Sequence, residues 1–248
     1  MHTLVDHKLA QPRAAPGEAD DERALYMRGL LALRNGDAEE AASLLTRALR
    51  WQPTHRGMRR NLVRALLAAE HYEQVLLQAN AALAGMPDDG ELHFARGTAL
   101  NALGQHAKAC AAFARAVSLR PDHAASWLNM GNASADLDDL ASAETLCRTA
   151  IRLDPNLPEA HASLAHILTL LGQLPEAIEA CETAIRLRPD FAQAHWNLAI
   201  AVLLGGDLPR GFAEYEWRRH HARYRVDFPD LPGPRWDGAT PNGKTVLV

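Results

Sequence analysis

A period of 34 residues in the placement of proline and alanine is the feature that most constrains this sequence. Prolines stand one period apart at Pro53, Pro87, Pro121, Pro155 and Pro189. Alanines keep the same step at Ala48, Ala82, Ala116, Ala150 and Ala184. Self-similarity of this length indicates an array of small units, each of which buries its apolar face only by stacking on its neighbours. The chain is therefore expected to form an elongated repeat structure.

Each unit is predicted to be a pair of closely packed helices. Aromatic residues make up only 6% of the 248 residues while Ala and Leu are abundant, which favours helices over sheets. A column of mostly small residues runs through the predicted first helices: Gly29, Val63, Gly97, Gly131, Ala165 and Ala199. A second such column runs through the second helices: Ala41, Val75, Ala109, Ala143, Ala177 and Gly211. Small side chains at two facing positions allow the helices of a pair to approach closely.

A third column predicts the turn between the two helices. Its members are Gly36, Glu70, Gly104, Asp138, Gly172 and Gly206. Glycine readily takes the left-handed conformation that ends a helix, and the periodic prolines then prevent the second helix from continuing. The predicted unit is helix, turn, helix, turn.

These columns make the chain resemble the tetratricopeptide repeat (TPR) family. The fourth unit matches the family pattern most fully, through Trp127, Met130, Gly131, Ala143, Ala150 and Pro155. The second unit departs from it at Val63 and Val75. The resemblance implies an all-α fold, a right-handed α-solenoid of about six helix-turn-helix units over residues 22–225, whose last unit is atypical because Arg218 and Arg223 replace the periodic Ala and Pro. A mobile leader is expected at residues 1–21.

A second resemblance concerns the C-terminal part of the sequence. The pattern begins with Gly211, Phe212, Tyr215, Glu216, Trp217 and Arg218 and continues with Pro234 to Gly238 and then with Gly243 to Val248. This pattern resembles the junction in bacterial proteins that join TPRs to a glycosyltransferase-like α/β domain. It implies that residues 226–248 are an extended linker and the possible first strand of a truncated domain. Any catalytic domain would then lie beyond Val248.

The sequence offers no catalytic or cofactor chemistry of its own. The GxSxG, GxxxxGK[ST] and HExxH motifs are absent, so no enzyme activity, cofactor or metal is assigned to these residues. His161 occupies a packing column with His93, Trp127 and His195 and is interpreted as structural. The net charge of −4 disfavours a nucleic-acid partner, and the basic segment at residues 218–223 is interpreted as a solvated helix end rather than a phosphate site.

Cysteine usage and hydropathy predict a cytoplasmic protein without a membrane partner. Three cysteines without CxxC spacing favour a reducing compartment, and no stretch is long and apolar enough to span a bilayer. Cys147 and Cys181 share a packing column, whereas Cys110 lies outside it and is expected to be the most accessible thiol.

Polar residues in the first-helix columns predict a binding groove. Asn61, Asn129 and Asn197 share one column, and the neighbouring column contains Arg64, Thr98, Asn132 and His166. The resemblance implies that first helices line a concave groove and hold an extended peptide by its backbone, as in the repeat superhelix of O-linked N-acetylglucosamine transferases. The predicted site consists of Asn61, Arg64, Phe94, Asn101, Asn129, Asn132, Ser163, His166, Trp196 and Asn197.

The functional hypothesis is a protein- or peptide-binding TPR scaffold, the docking or substrate-recognition arm of a glycosyltransferase-related protein. The alternative is a self-associating assembly scaffold with no enzymatic link, in which the groove or an open end binds a second copy. The asparagine column also has an alternative interpretation, in which the amides satisfy helix ends or carbonyls of the neighbouring repeat.

Overall fold

The computed structural model describes residues 19–220, which form twelve α-helices and a final 3-10 helix. The first six helices are α1 (Ala19–Asn35), α2 (Ala38–Leu49), α3 (Arg56–Ala68), α4 (Tyr72–Leu83), α5 (Gly90–Ala102) and α6 (His106–Leu119). The next six are α7 (Ala124–Ala135), α8 (Leu140–Leu153), α9 (Pro158–Leu170), α10 (Leu174–Leu187), α11 (Ala192–Leu204) and α12 (Leu208–Tyr215). The 3-10 helix spans Glu216–His220. The strand predicted near the C-terminus lies outside the described residues.

The helices form two layers with different connectivity. Every helix packs against its neighbours along the chain, and each odd-numbered helix also contacts the next odd-numbered helix. Within residues 19–220, no even-numbered helix contacts another even-numbered one. The odd-numbered helices are therefore the continuous inner layer of a curved array, and the even-numbered helices are the separated outer layer. The prediction of an all-α solenoid of six helix pairs is confirmed.

The turn column adopts the predicted left-handed conformation in all six units. The φ angles are 85° at Gly36, 58° at Glu70, 71° at Gly104, 63° at Asp138, 75° at Gly172 and 88° at Gly206. No atom lies within 4 Å of the position that a Cβ would take at the four glycines. The requirement for glycine is therefore one of backbone conformation and not of space, and Glu70 and Asp138 meet it with some strain.

Close helix contacts occur at the predicted small residues. A Cβ at Gly131 would lie 2.9 Å from Cys147 Sγ and 3.2 Å from the carbonyl oxygen of Ala143. A Cβ at Gly97 would lie 2.6 Å from the ring of Phe113. Both contacts are too short for any side chain, which explains why glycine is present where a first helix crosses a second.

The column that contains three histidines and a tryptophan is structural, as predicted. The ring nitrogens lie 2.8–2.9 Å from the carbonyl oxygen of the proline six residues earlier. The four pairs are His93 with Pro87, Trp127 with Pro121, His161 with Pro155 and His195 with Pro189. An indole nitrogen can only donate, so the shared geometry indicates that each imidazole also donates from Nε2. The bond ties the start of each first helix to the preceding loop.

The end of the sixth unit folds back onto α11. The ring of Trp217 stacks on His195 with centroids 3.9 Å apart, and Tyr215 packs against Trp196 with centroids 5.1 Å apart. Nδ1 of His195 lies 2.6 Å from Glu214 Oε2. The helix α12 has only 8 residues, and the 3-10 helix replaces the rest of the expected second helix. This unit is atypical, although Arg223, which supported that prediction, lies outside the described residues.

Candidate functional site

The groove is the exposed surface of the inner layer between α3 and α11. On α7, the buried residues Ser126, Leu128, Gly131, Ala133 and Ser134 pack into the array. Asn129 and Asn132 lie between them in sequence, three residues apart, and stay half-buried. Residues three apart share a helix face, so both amides lie on the same side of α7. Ser163 and His166 have the same spacing on α9, where Ser163 is half-buried and His166 is exposed.

Asn129, Asn132, Ser163 and His166 form the central polar cluster of the groove. The helices that bear them, α7 and α9, contact each other directly. None of the four side chains hydrogen-bonds to another residue in the described part of the chain. Two amides, a hydroxyl and an imidazole therefore offer donors and acceptors that the fold itself does not use.

The imidazole of His166 is favoured in its neutral form. Desolvation lowers its pKa, and the nearby carboxylate of Asp136 opposes this effect. A neutral imidazole has one donor and one acceptor nitrogen, which suits the alternating N–H and C=O groups of a peptide backbone. Asp136 was not among the predicted site residues, although it caps the C-terminus of α7 four residues after Asn132, which places it on the same face.

Asn101 is engaged inside the chain. Its Oδ1 lies 2.9 Å from Nδ1 of His106, and the same nitrogen lies 3.3 Å from Asp136 Oδ2. This network connects α5, α6 and α7 at one edge of the groove. Asn101 thus positions Asp136 through His106.

The outer members of the asparagine column also bond within the chain. Nδ2 of Asn61 donates to the hydroxyl of Tyr26 at 3.0 Å. Nδ2 of Asn197 donates to the carbonyl of Ala162 at 2.9 Å, and its Oδ1 accepts from Gln193 at 2.8 Å. Asn197 is only 5% exposed. In both cases the partner lies 35 residues earlier, on the preceding first helix, as the alternative interpretation of this column expects.

The two predicted aromatic anchors are half-buried. Phe94 packs against Phe113 with centroids 6.0 Å apart and meets the ring of His123 edge-on at 5.1 Å. Burial, with a smaller effect of Arg120, lowers the pKa of His123. Trp196 packs against Tyr215, the last residue of α12, which lies in the same packing column as Cys147 and Cys181. Each ring retains an accessible part, so each can still contact a ligand.

Other site chemistries find no support within residues 19–220. No three His, Cys, Asp or Glu side chains there are grouped so as to hold a metal ion. None of the helices described above is both long enough and apolar enough to cross a bilayer.

Comparison with protein families identifies the repeat throughout most of the chain. A family model described as tetratricopeptide repeat matches residues 32–99 and 100–167. A second model, described as TPR repeat, matches residues 165–206. No curated protein sequence matches the chain.

Solved structures of similar fold are distant in sequence. Pseudomonas aeruginosa PilF is 17% identical with a TM-score of 0.67, covering 84% of this chain and 94% of PilF. A thermophilic TPR protein of Thermus thermophilus, TTC0263, is 23% identical with a TM-score of 0.60, covering 73% of this chain and 99% of that one. YrrB, described as a TPR protein with an unusual peptide-binding site, is 17% identical with a TM-score of 0.56, covering 73% and 93%. At these identities the likeness concerns the fold alone.

Proposed function

Because this chain belongs to the tetratricopeptide repeat family, we propose that it is a scaffold that binds an extended segment of a partner protein along its groove. The central polar cluster is the observation that supports this most directly. An extended segment has backbone N–H and C=O groups that must find partners when water is removed. Asn129, Asn132, Ser163 and His166 offer such partners on two adjacent helices.

The remaining predicted residues differ in how much of their side chain is free to contact a ligand, and we assign their roles accordingly. Arg64 is exposed beyond the cluster, and Phe94 and Trp196 offer partly exposed rings near the two ends of the track. Asn61 and Asn101 are half-buried and already bonded, so they border the track. Asn197 is buried and bonded on both sides, and its proposed part is to hold α11 against α9.

The experiment replaces Asn129 and Asn132 together by Ala. Peptides are first selected from a random peptide library displayed on phage, and their affinity is then measured by fluorescence anisotropy. The double variant is expected to bind the selected peptides more weakly by roughly 1–3 kcal/mol, about one for each lost neutral hydrogen bond. Its melting temperature should change little because neither amide bonds within the described chain. Asn80→Ala, which alters an exposed asparagine of the outer layer, is the matched control.

Two outcomes would contradict the proposed role of the cluster. If the double variant binds normally while Phe94→Ala or Trp196→Ala abolishes binding, apolar anchors recognise the ligand. If the double variant unfolds, the two asparagines are structural. Asn197→Ala is expected to lower stability by about 1–3 kcal/mol because it leaves the carbonyl of Ala162 without its buried donor.

The finer proposal is that this scaffold is the docking arm of a glycosyltransferase-related protein. It is supported by the sequence pattern that begins at Gly211, of which residues 221–248 lie outside the described structure. The gene sequence downstream of Val248 is the test. An α/β domain with a nucleotide-sugar site is expected there, and an immediate stop codon or an unrelated domain would contradict the proposal.

Self-association is the second candidate, and the two ends of the array favour it. Leu31 on α1 is 47% exposed, whereas its equivalents in the next five units are at most 1% exposed. Phe212 on α12 is 59% exposed at the other end. Stacking of a second copy would cover both residues as internal repeats do. Light scattering at several concentrations distinguishes this from a monomeric scaffold.

A further inference from the structure

The helix α3 is unusual in its charge. Its thirteen residues contain Arg56, Arg59, Arg60 and Arg64 and no acidic residue. Arg56, Arg60 and Arg64 follow one another at a spacing of four, so they form a stripe along one side of the helix. We call these three residues the arginine stripe.

Two members of the arginine stripe lack a counter-charge. Arg60 forms an ion pair with Asp89. Arg56 and Arg64 are exposed and make no ion pair with any residue of the described range 19–220. Arg59, outside the stripe, has a structural role, because it donates to Gln78 Oε1 at 2.8 Å and to the carbonyl of Pro53.

The surroundings of Arg56 do not neutralise it. Arg56 and Arg60 line an open cavity of about 450 Å³ together with the loop at residues 85–91. The acidic side chains of this loop are already paired: Asp88 with Arg115, Asp89 with Arg60 and Glu91 with Arg120. Each acidic side chain of this loop therefore has another arginine as its partner, and Arg56 is left without one.

Helix stability does not explain this arrangement. Arg56 is the first residue of α3, and the first turn contains no acidic residue. A positive charge at the N-terminus of a helix opposes the macrodipole and is unfavourable. By contrast, α2, α4, α5, α9 and α10 each have a glutamate in the first turn.

The charge of the groove changes sign towards its centre. At α3 the arginine stripe with Asp89 leaves a net positive surface. At the C-terminal end of α7, the exposed Asp136 places a carboxylate beside the central polar cluster, with His106 as its neighbour. An anionic group of a ligand is therefore attracted at α3 and repelled beside Asp136.

From this contrast we infer that the partner segment is acidic where it crosses α3, and that Asp or Glu side chains within it bind Arg56 and Arg64. This inference rests on the proposed function, since it names the chemistry of the segment that the groove holds. The part of the segment over α7 and α9 is uncharged and bonds to the central polar cluster through its backbone. The ligand is thus oriented by charge at one end and held by hydrogen bonds in the middle.

The test compares two variants with the same change of net charge. Arg56→Glu with Arg64→Glu reverses the stripe, and Arg47→Glu with Arg50→Glu reverses two exposed arginines at the C-terminal end of α2, in the outer layer. The wild type is expected to select library peptides rich in Asp and Glu toward one end. The selected peptides are synthesised with an amidated C-terminus. At low salt the stripe variant should bind them at least roughly tenfold more weakly than the wild type, and the affinity of the α2 variant should stay within about twofold of the wild type.

The stripe variant is expected to stay folded, because Glu at the start of α3 favours the helix dipole. If selected peptides depend on Asn129 and Asn132 but contain no excess of acidic residues, this inference fails and the proposed function stands. If no peptide is selected, both fail. A uridine oligonucleotide is the second probe. If the wild type and the α2 variant bind it, the stripe variant does not, and no acidic peptides are selected, the arginines bind nucleic acid and the inference is overturned.

Discussion

The second and fourth repeats build the same helix pair from different residues. In the fourth, Gly131 of α7 faces Cys147 of α8. In the second, the equivalent positions are Val63 and Ala79, both of them buried. A glycine opposite a larger side chain and a valine opposite an alanine fill comparable volume, because a change on one helix is offset on the other.

The two repeats differ in how extensively their helices meet. The contact between α7 and α8 is the most extensive of any helix pair described, and that between α3 and α4 is the least extensive within a repeat. In the second repeat, Val75 also replaces the alanine found at Ala143. Two β-branched side chains at the crossing accompany this less extensive contact. The departure of this repeat from the family pattern therefore does not prevent the helix pair from forming.

Thiol chemistry is the strongest probe of the tighter packing. Cys147 and Cys181 are fully buried, and burial raises the pKa of each thiol to about 12. Cys110 is only partly buried. A thiol reagent under native conditions should label Cys110 faster than the other two by roughly a hundredfold or more, because the thiolate is the reactive form. Mass spectrometry of timed samples measures this. Equal labelling rates would show that the fourth repeat opens often enough for the reagent to reach Cys147 as readily as Cys110.

Crowding the crossing point of the fourth repeat should destabilise the protein. Gly131→Leu is expected to lower the free energy of unfolding by about 1–3 kcal/mol or more, because any Cβ there meets Cys147 and the carbonyl of Ala143. Urea denaturation measures this change. Adding Cys147→Ala should recover part of the loss, since it brings the pair closer to the combination in the second repeat. Additive effects of the two substitutions would show that the volumes are not coupled.

Substitutions in the turn between the two helices should have the smallest effect on stability, and the effect should be similar in the second and fourth repeats. Glu70→Gly and Asp138→Gly should each stabilise the protein by about 0.5–1 kcal/mol, because glycine takes a positive φ without the strain of a Cβ. Gly104→Ala is the control in the opposite direction, and it should destabilise although space is free around it. Thermal or urea unfolding of the three variants tests this. A loss of stability in both glycine variants would indicate that Glu70 and Asp138 make favourable interactions that offset the strain.

The periodic parts of this structure were predictable from the sequence because each position is sampled six times. The left-handed turns at Glu70 and Asp138 follow from glycines one period away, although neither residue favours that conformation by itself. The structural interpretation of the histidines in the column at His93 rests on the same reasoning. Their bond to a proline carbonyl was not predicted, because the period places a ring without fixing what its nitrogen meets.

The site was less predictable than the fold. An asparagine has the same hydrogen-bonding groups whether it faces a ligand or a neighbouring carbonyl, so the sequence did not separate Asn129 from Asn197. That distinction depends on the distance between adjacent first helices. Tyr215 belongs to the same packing column as Cys147 and Cys181, but the period places its ring without fixing that this ring meets Trp196.

The separation of the outer helices gives the array a mechanical property. Within residues 19–220 no even-numbered helix contacts another, so small rotations between repeats break no contact between two outer helices. The inner layer, in which every helix contacts the next, stays continuous, and the molecule bends about it. A slight rotation at each of five joints adds up along the chain, so the curvature of the binding surface can adapt to its ligand by elastic deformation rather than by local unfolding.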